Sequence, residues 1–347
     1  MSQKLRVGVV GLGMGKGHIG HFNAHPEAHV VAVADIDSQR LQEVAEETGI
    51  EQTFADYRPM LAEADLDVLS VALPNYLHKS VTISALEAGC HVLCEKPMAM
   101  NAGEARDMMA AADKAGKRLM INFNQRFQED NHMLKRQIDG GLFGHVYYAR
   151  SVWHRRRGMP RFGGWFGVKE KAGGGPLIDL GVHKLDLALW MMGYPKPVYV
   201  LGSTYDYIAS EIAKRNNRSY DVEDFAAAVV KFDNGATLML EASWASHIDK
   251  EYQEFQVLGT NAGYCSGPGM DTKIHSELND CHMDMELTRC FADGPPSAMY
   301  NLIDCIINDA DQVVTAHQGM IVMEILDALY ESSRTNAPVA IEADRSI

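Results

Sequence analysis

Residues 5 to 35 constrain what this chain can fold into more than any other stretch. Leu5-Arg6-Val7-Gly8-Val9-Val10 is an apolar run of strand-forming residues that passes directly into Gly11-Leu12-Gly13-Met14-Gly15-Lys16-Gly17 and a segment able to start a helix. Glycines there let the backbone turn tightly and approach a pyrophosphate, whose charge is met by amide N–H groups and the positive end of the helix. A second apolar strand, residues 29 to 34, ends at Asp35, 20 residues after Gly15, where a dinucleotide fold places a carboxylate for the adenosine ribose. The spacing is irregular. Counting G-x-G-x-x-G from Gly11 lands on Lys16, so the third glycine is either Gly15 or Gly17.

The alternation of strand and helix continues. Residues 38 to 48 form an amphipathic helix with Leu41, Val44 and Ala45 on one face and Gly49 as its C-terminal cap. Residues 67 to 73 read as a third strand closed by Pro74, 78 to 88 as a helix, 91 to 94 as a fourth strand ending at Glu95-Lys96-Pro97, and 119 to 123 as a fifth. Between the last two, Asn101 and Glu104 form a capping box for a helix that stops at Gly116. Single helices between strands imply a doubly wound parallel sheet, which sets a first domain at residues 1–123.

Beyond it the texture changes. Residues 146–153, 224–232, 236–244 and 252–258 are successive strands, the middle two joined by Asp233-Asn234-Gly235, which predicts an open, mainly antiparallel sheet in a second α/β domain, 124–347. A helix at 176–192 interrupts it, and further helices at 299–308 and 319–333 are left free to pack on either domain.

With 347 residues the chain has room for two such cores. Its 46 acidic against 32 basic residues, a net charge of −14, disfavour nucleic acid and anionic membrane surfaces as partners and point to a small ligand. No apolar run reaches the roughly 20 residues of a membrane span, and the first strand starts within a few residues of Met1, so a cytoplasmic location is expected. Six scattered cysteines form no C-x-x-C pair, so no metal site is expected. Cys281, His282 and Cys290 are read as thiols and a surface histidine rather than ligands.

In a doubly wound sheet ligands lie beyond the carboxyl ends of the strands. That rule selects the glycine turn with Met14, the loop Pro74-Asn75-Tyr76-Leu77-His78, and Glu95-Lys96-Pro97, which would set Lys96 beside the nicotinamide end of a cofactor. The second half offers Gly173-Gly174-Gly175-Pro176-Leu177-Ile178-Asp179-Leu180-Gly181-Val182-His183-Lys184-Leu185-Asp186. On an α-helix Asp179, His183 and Asp186 share one face, and such clustered titratable groups are typical of active sites.

Over nearly its whole length the chain resembles the glucose-fructose oxidoreductase, inositol dehydrogenase and rhizopine-catabolism oxidoreductases, written Gfo/Idh/MocA, through the glycine turn, PNYLH, EKP and GGGPLIDLGVH. The glycine turn is shorter than the family's commoner spacing. The resemblance implies a Rossmann domain, a second domain whose open sheet faces the crevice and mediates homodimers or homotetramers, and oxidation or reduction of a hydroxyl on a sugar, cyclitol or related polyol. It makes Lys96, Asp179 and His183 the catalytic set, and Asn75, His78 and Glu95 cofactor contacts. Alcohol oxidation needs a base at the hydroxyl and a positive donor for the developing alkoxide. His183 suits the base, Lys96 the donor and Asp179 the orienting group, with the reverse assignment of the proton open. NAD is expected over NADP, since a 2′-phosphate would meet Asp35 and Asp37 with only Arg40 to compensate. Arg126, Trp153, His154 and Trp165 are candidate substrate contacts. Two other functions stay in view: an NAD-dependent redox-neutral glycosidase or lyase, and a non-catalytic NAD-binding sensor.

Overall fold

The computed structural model describes residues 4–160, 164–288 and 294–341, and the chain divides into two compact units, Met1–Phe127 with Pro295–Met320 and Gln128–Gly294 with Ile321–Ile347.

The first unit holds six parallel strands, β1 (Leu5–Val10), β2 (Ala28–Ala34), β3 (Gln52–Phe54), β4 (Val68–Val71), β5 (His91–Cys94) and β6 (Leu119–Ile121). Their order is β3-β2-β1-β4-β5-β6, so the direction of winding reverses between β1 and β4, beside the glycine turn. The connecting helices are α1 (Leu12–Asn23), α2 (Ser38–Thr48), α3 (Tyr57–Glu63), α4 (His78–Glu87) and α5 (Ala102–Ala115). Expected capping is present: Asn101 Oδ1 accepts from Glu104 N at 2.9 Å, and Gly49 and Gly116 close α2 and α5 at φ 72° and 61°. Only Val44 of the expected α2 stripe is fully buried. Edge strand β3 and α3 escaped the sequence pattern because Gln52-Thr53-Phe54 is too short to show a period. The strands expected third to fifth are therefore β4 to β6.

The second unit begins with α6 (Glu129–Asp139) and contains β7 (Val146–His154), α7 (Lys169–Ala172), α8 (Val182–Met191), β8 (Pro197–Tyr205), α9 (Tyr207–Arg215), β9 (Phe225–Phe232), β10 (Thr237–Ser243), β11 (Tyr252–Gly259), β12 (Ala262–Ser266), β13 (Lys273–Leu278) and β14 (Cys281–Met285). With β15 (Val339–Ala340) these make a nine-stranded sheet, β14-β13-β12-β11-β7-β10-β9-β8-β15. Seven neighbouring pairs are antiparallel, but β7 and β10 run parallel, so the sheet is mixed. Between those two strands the chain runs through α7, α8, β8, α9 and β9, and the hairpin from β9 brings it back in its original direction. α10 (Ala298–Asn308) joins the first unit, where His25 packs on Tyr300 and lies 3.3 Å from Asp304, and α11 (Ala316–Thr335) starts in the first unit and ends in the second.

Alternation along β7 separates two faces. Ala149, Ser151 and Trp153 lie toward α8, while Arg150, Val152 and His154 lie on the other side, where Arg150 pairs with Glu254 at 2.8 Å and Glu241 at 3.2 Å. No helix among the described residues is long and apolar enough to cross a membrane.

Candidate active site

The glycine turn assigns its own roles. Gly11 has φ 87°, and a Cβ on it would fall 2.2 Å from the Ala72 carbonyl oxygen, so only glycine makes this turn. A Cβ on Gly15 would lie 2.7 Å from Val9 Cγ1, so Gly15 is the close-packing third glycine, whereas Gly13 and Gly17 have nothing within 4 Å. Helix α1 starts at Leu12 with no side-chain cap, leaving amide groups of its first turn for an anion, and Met14 on that turn is exposed. Asp35, at the end of β2, is buried. Its carboxylate accepts from Leu12 N at 2.7 Å and Asp37 N at 2.8 Å, while the half-exposed Arg40 guanidinium lies 3.2 Å away and also pairs with Asp37 at 3.1 Å. Asp35 is thus fastened to the glycine turn, and these residues fit a dinucleotide.

Lys96 is half-buried in a turn held from two sides. His78 is fully buried, with Nδ1 2.7 Å from the Pro97 carbonyl and Nε2 2.8 Å from the Leu73 carbonyl, bridging the loop after β4 to the turn after β5. Burial lowers its pKa, while the two carbonyls pull it upward. Glu95 Oε1 accepts from Asn122 Nδ2 at 2.5 Å and lies 3.1 Å from His18 Nε2, whose Nδ1 meets Ser70 Oγ at 2.8 Å. Burial opposes ionisation of Glu95, but the contacts to His18 and Asn122 and the charge of Lys96 outweigh it and hold the pKa at about 2. Glu95 and His78 therefore build the frame of this turn, and Asn75, at the start of the loop after β4, is buried.

In the second unit the expected helix at 176–192 is two structures. Leu177–Gly181 is a π-turn, and α8 follows from Val182. A π-turn often marks a functional site. Asp179 and His183 remain partly exposed, with Asp179 Oδ2 accepting from Trp244 Nε1 at 3.0 Å and the His183 ring 6.2 Å from Trp153. Asp186, three residues after His183 in α8, is buried and accepts from Tyr194 Oη at 2.8 Å. The turn is clasped from beneath by Glu223, which the sequence pattern did not single out. Its Oε1 accepts from Leu177 N and Tyr330 Oη, both at 3.0 Å, and burial raises its pKa. A Cβ on Gly174 would meet Tyr330 Oη at 1.9 Å, and one on Gly175 the Glu223 carbonyl oxygen at 2.0 Å, which explains the glycine run. The only hint of the clasp was two adjacent acids, Glu223-Asp224, entering an apolar strand.

Residues 5–123 match a family described as oxidoreductases with an NAD-binding Rossmann fold, and residues 135–341 match the same family's C-terminal alpha/beta domain. The chain belongs to the Gfo/Idh/MocA oxidoreductase family. It is similar to the D-glucoside 3-dehydrogenase of Escherichia coli (strain K12), 34% identical with 98% of each chain covered, and to the levoglucosan dehydrogenase of Pseudarthrobacter phenanthrenivorans, 29% identical over 74% of this chain and 72% of the other. Among solved structures it is similar to GenD2 from gentamicin A biosynthesis in complex with NAD, at 26% identity and TM-score 0.80, covering 99% of this chain and 98% of that one. As a Gfo/Idh/MocA chain it carries an NAD-binding Rossmann domain whose glycine turn is one residue short, with Gly11 making the tight turn and Gly15 the close packing.

The four candidate substrate contacts separate in this Gfo/Idh/MocA structure. Trp153 adjoins α8, and Trp165 lies in a short turn stacked on Phe166 at 3.9 Å. Arg126 has no exposed surface and donates to the Val313 carbonyl and Gln318 Oε1, both at 2.7 Å, so it ties the 313–318 segment to β6's exit. His154 is turned to the opposite sheet face, 3.3 Å from Glu241, because side chains alternate along β7. No cluster of potential metal ligands occurs among the described residues. Cys281 is exposed, His282 pairs with Glu277 at 3.2 Å, and Cys290 lies outside the described residues.

Proposed function

We propose that this oxidoreductase moves a hydride between NAD and a hydroxyl-bearing carbon of a sugar or related polyol, with Lys96, Asp179 and His183 as the catalytic set. The observation that carries this is the construction around Asp179 and His183. Two partly exposed titratable groups sit on and just after a π-turn that Glu223 and Tyr330 clasp from below, and a surface helix with a solvated face needs no such support. The D-glucoside 3-dehydrogenase and levoglucosan dehydrogenase relatives make glucosides and anhydro-sugars the first substrates to try.

NAD, when bound, supplies the hydride acceptor. Oxidation then asks the protein to remove the hydroxyl proton and to steady the alkoxide as it develops. His183, held by Trp153 and carried on a fixed helix start, takes the proton; Lys96, in its braced turn, supplies positive charge; Asp179, oriented by the Trp244 indole, fixes the base. The second unit, Gln128–Gly294 with Ile321–Ile347, serves substrate binding and homo-oligomerisation through its open sheet. The five cysteines among the described residues, Cys90, Cys94, Cys265, Cys281 and Cys305, are free thiols, which suits a reducing cytoplasm.

The test is NADH formation with a panel of methyl glucosides, anhydro-sugars and inositols. Stoichiometric NADH supports the dehydrogenase. Product without net NADH would make it a redox-neutral glycosidase or lyase, and saturable sugar binding with no chemistry a sensor.

A further inference from the structure

Lys184 follows His183 in α8 and is 4% exposed, and its ammonium lies over an aromatic face, 5.6 Å from the centre of the Trp153 ring. Arg155, just past the end of β7, places its guanidinium carbon 5.3 Å from the same ring, and among the described residues that guanidinium makes a long hydrogen bond of 3.3 Å to the Gly158 carbonyl. Neither cation meets a carboxylate among the described residues, and burial alone accounts for the lowered pKa of Lys184, about 8. This is unusual for a lysine so enclosed. Buried ammonium groups are ordinarily paired, because removal from water is costly and a cation–π contact returns only part of that cost. The chain has carboxylates to spare, at net charge −14, but none is placed here. Arg150 of the same unit, by contrast, is paired with Glu241 and Glu254.

An indole with two cations on it is chemically specific. The flat apolar ring suits the C–H face of a pyranose, while the cations suit a negative group attached to that ring. The His183 ring, 6.2 Å from the same indole, sets the reacting hydroxyl beside the charged substituent. We propose that Trp153, Lys184 and Arg155 form a subsite for the anionic substituent of the substrate, which is therefore a sugar carrying a carboxylate or a phosphate. The proposal rests on the second unit being the substrate domain, and it narrows the substrate class from polyols in general to acidic sugars.

The experiment compares methyl β-D-glucoside, methyl β-D-glucuronide and glucose 6-phosphate on the full chain with NAD, by kcat/KM and by calorimetric titration with no turnover required. An acidic sugar should be favoured over the neutral glucoside by at least tenfold, and whichever of the two acids binds more tightly identifies carboxylate or phosphate as the group recognised. Lys184→Met, which keeps the apolar stem, should reduce that preference at least tenfold through KM, and Lys184→Arg should restore most of it. Arg155→Met, at a less buried position, gives the same reading should Lys184→Met not fold. Equal use of neutral and acidic sugars by the wild type, or a preference unchanged in both charge-removing variants, overturns the subsite. If no sugar yields NADH but glucuronide still binds in a Lys184-dependent way, the subsite stands and the dehydrogenase assignment falls.

Discussion

Lys96 and Glu95 are adjacent, yet their surroundings give them different tasks. Glu95 Oε1 takes the Asn122 amide and lies against His18, which fixes the turn, while the half-buried Lys96 side chain is carried at its tip. Lys96→Ala should therefore leave NAD affinity, measured by titration, nearly unchanged and lower turnover by about 10²- to 10³-fold, the usual loss when a donor to developing charge is removed. His183→Ala should cost about 10²- to 10⁴-fold, with the residual rate climbing as pH rises. Near wild-type rates in a folded variant would remove both from the chemistry. Glu95 itself reports on stability. Its folded pKa of about 2 lies below the ordinary 4.5, so its ionised form stabilises the fold above pH 4.5, and that contribution fades as pH falls toward 2. Urea melts of Glu95→Gln should show a deficit at neutral pH that shrinks over this window; a deficit independent of pH would assign it to shape rather than charge. At Asp35, Arg40 is already shared between two carboxylates, Asp35 and Asp37, so a 2′-phosphate would face an excess of negative charge. The kcat/KM ratio should favour NAD over NADP, and parity would contradict this.

At the scale of elements, the π-turn and its clasp decide how well Asp179 is aimed. Glu223→Ala leaves Leu177 N–H and Tyr330 Oη without their buried acceptor, a cost of roughly 1–3 kcal/mol for each group so orphaned. Glu223→Gln keeps an acceptor oxygen and should retain most activity; Gly175→Ala, which drives a Cβ to 2.0 Å from a carbonyl oxygen, should lose it. The split should appear in kcat more than in KM, and a uniform loss of soluble protein in all three would make the clasp purely structural. The same turn marks the limit of what periodicity can show. Strand, glycine turn, helix and acid announced the first unit because each obeys a local rule, and Asp179 and His183, the pair proposed here as catalytic, stood out by type and spacing. A π-turn adds a residue per turn without altering composition, so the 3.6-residue geometry from which Asp179 was placed does not hold there. Glu223 and Tyr330 are 107 residues apart, and the parallel pairing of β7 with β10 depends on where an 80-residue excursion, roughly, returns. Nothing local encodes either.

For the whole molecule, the nine-stranded sheet raises the question of its second face. One side is covered by α8, and the other presents Arg150 with its two glutamates at the centre and an apolar margin on β8, where Tyr199, Leu201 and Tyr205 are 40%, 46% and 41% exposed. Register carries this margin inward, since Leu201 is paired with Val229, Val229 with Met239 and Met239 with Arg150, giving one continuous row across four strands. An apolar row ending in a satisfied ionic cluster is what an isologous interface requires: area to exclude water, and charges already paired so that burial leaves none stranded. With a net charge of −14, association must be carried by this local surface against the overall repulsion. Light scattering should give a mass that is a multiple of 38.3 kDa, more firmly at higher salt, where repulsion is screened and apolar burial is not. Leu201→Glu places a carboxylate in the middle of the row and should shift the species to monomer at micromolar concentration while leaving far-UV circular dichroism unchanged. A monomeric wild type, or an oligomer indifferent to Leu201→Glu, would mean that this face meets solvent and that any assembly uses another surface.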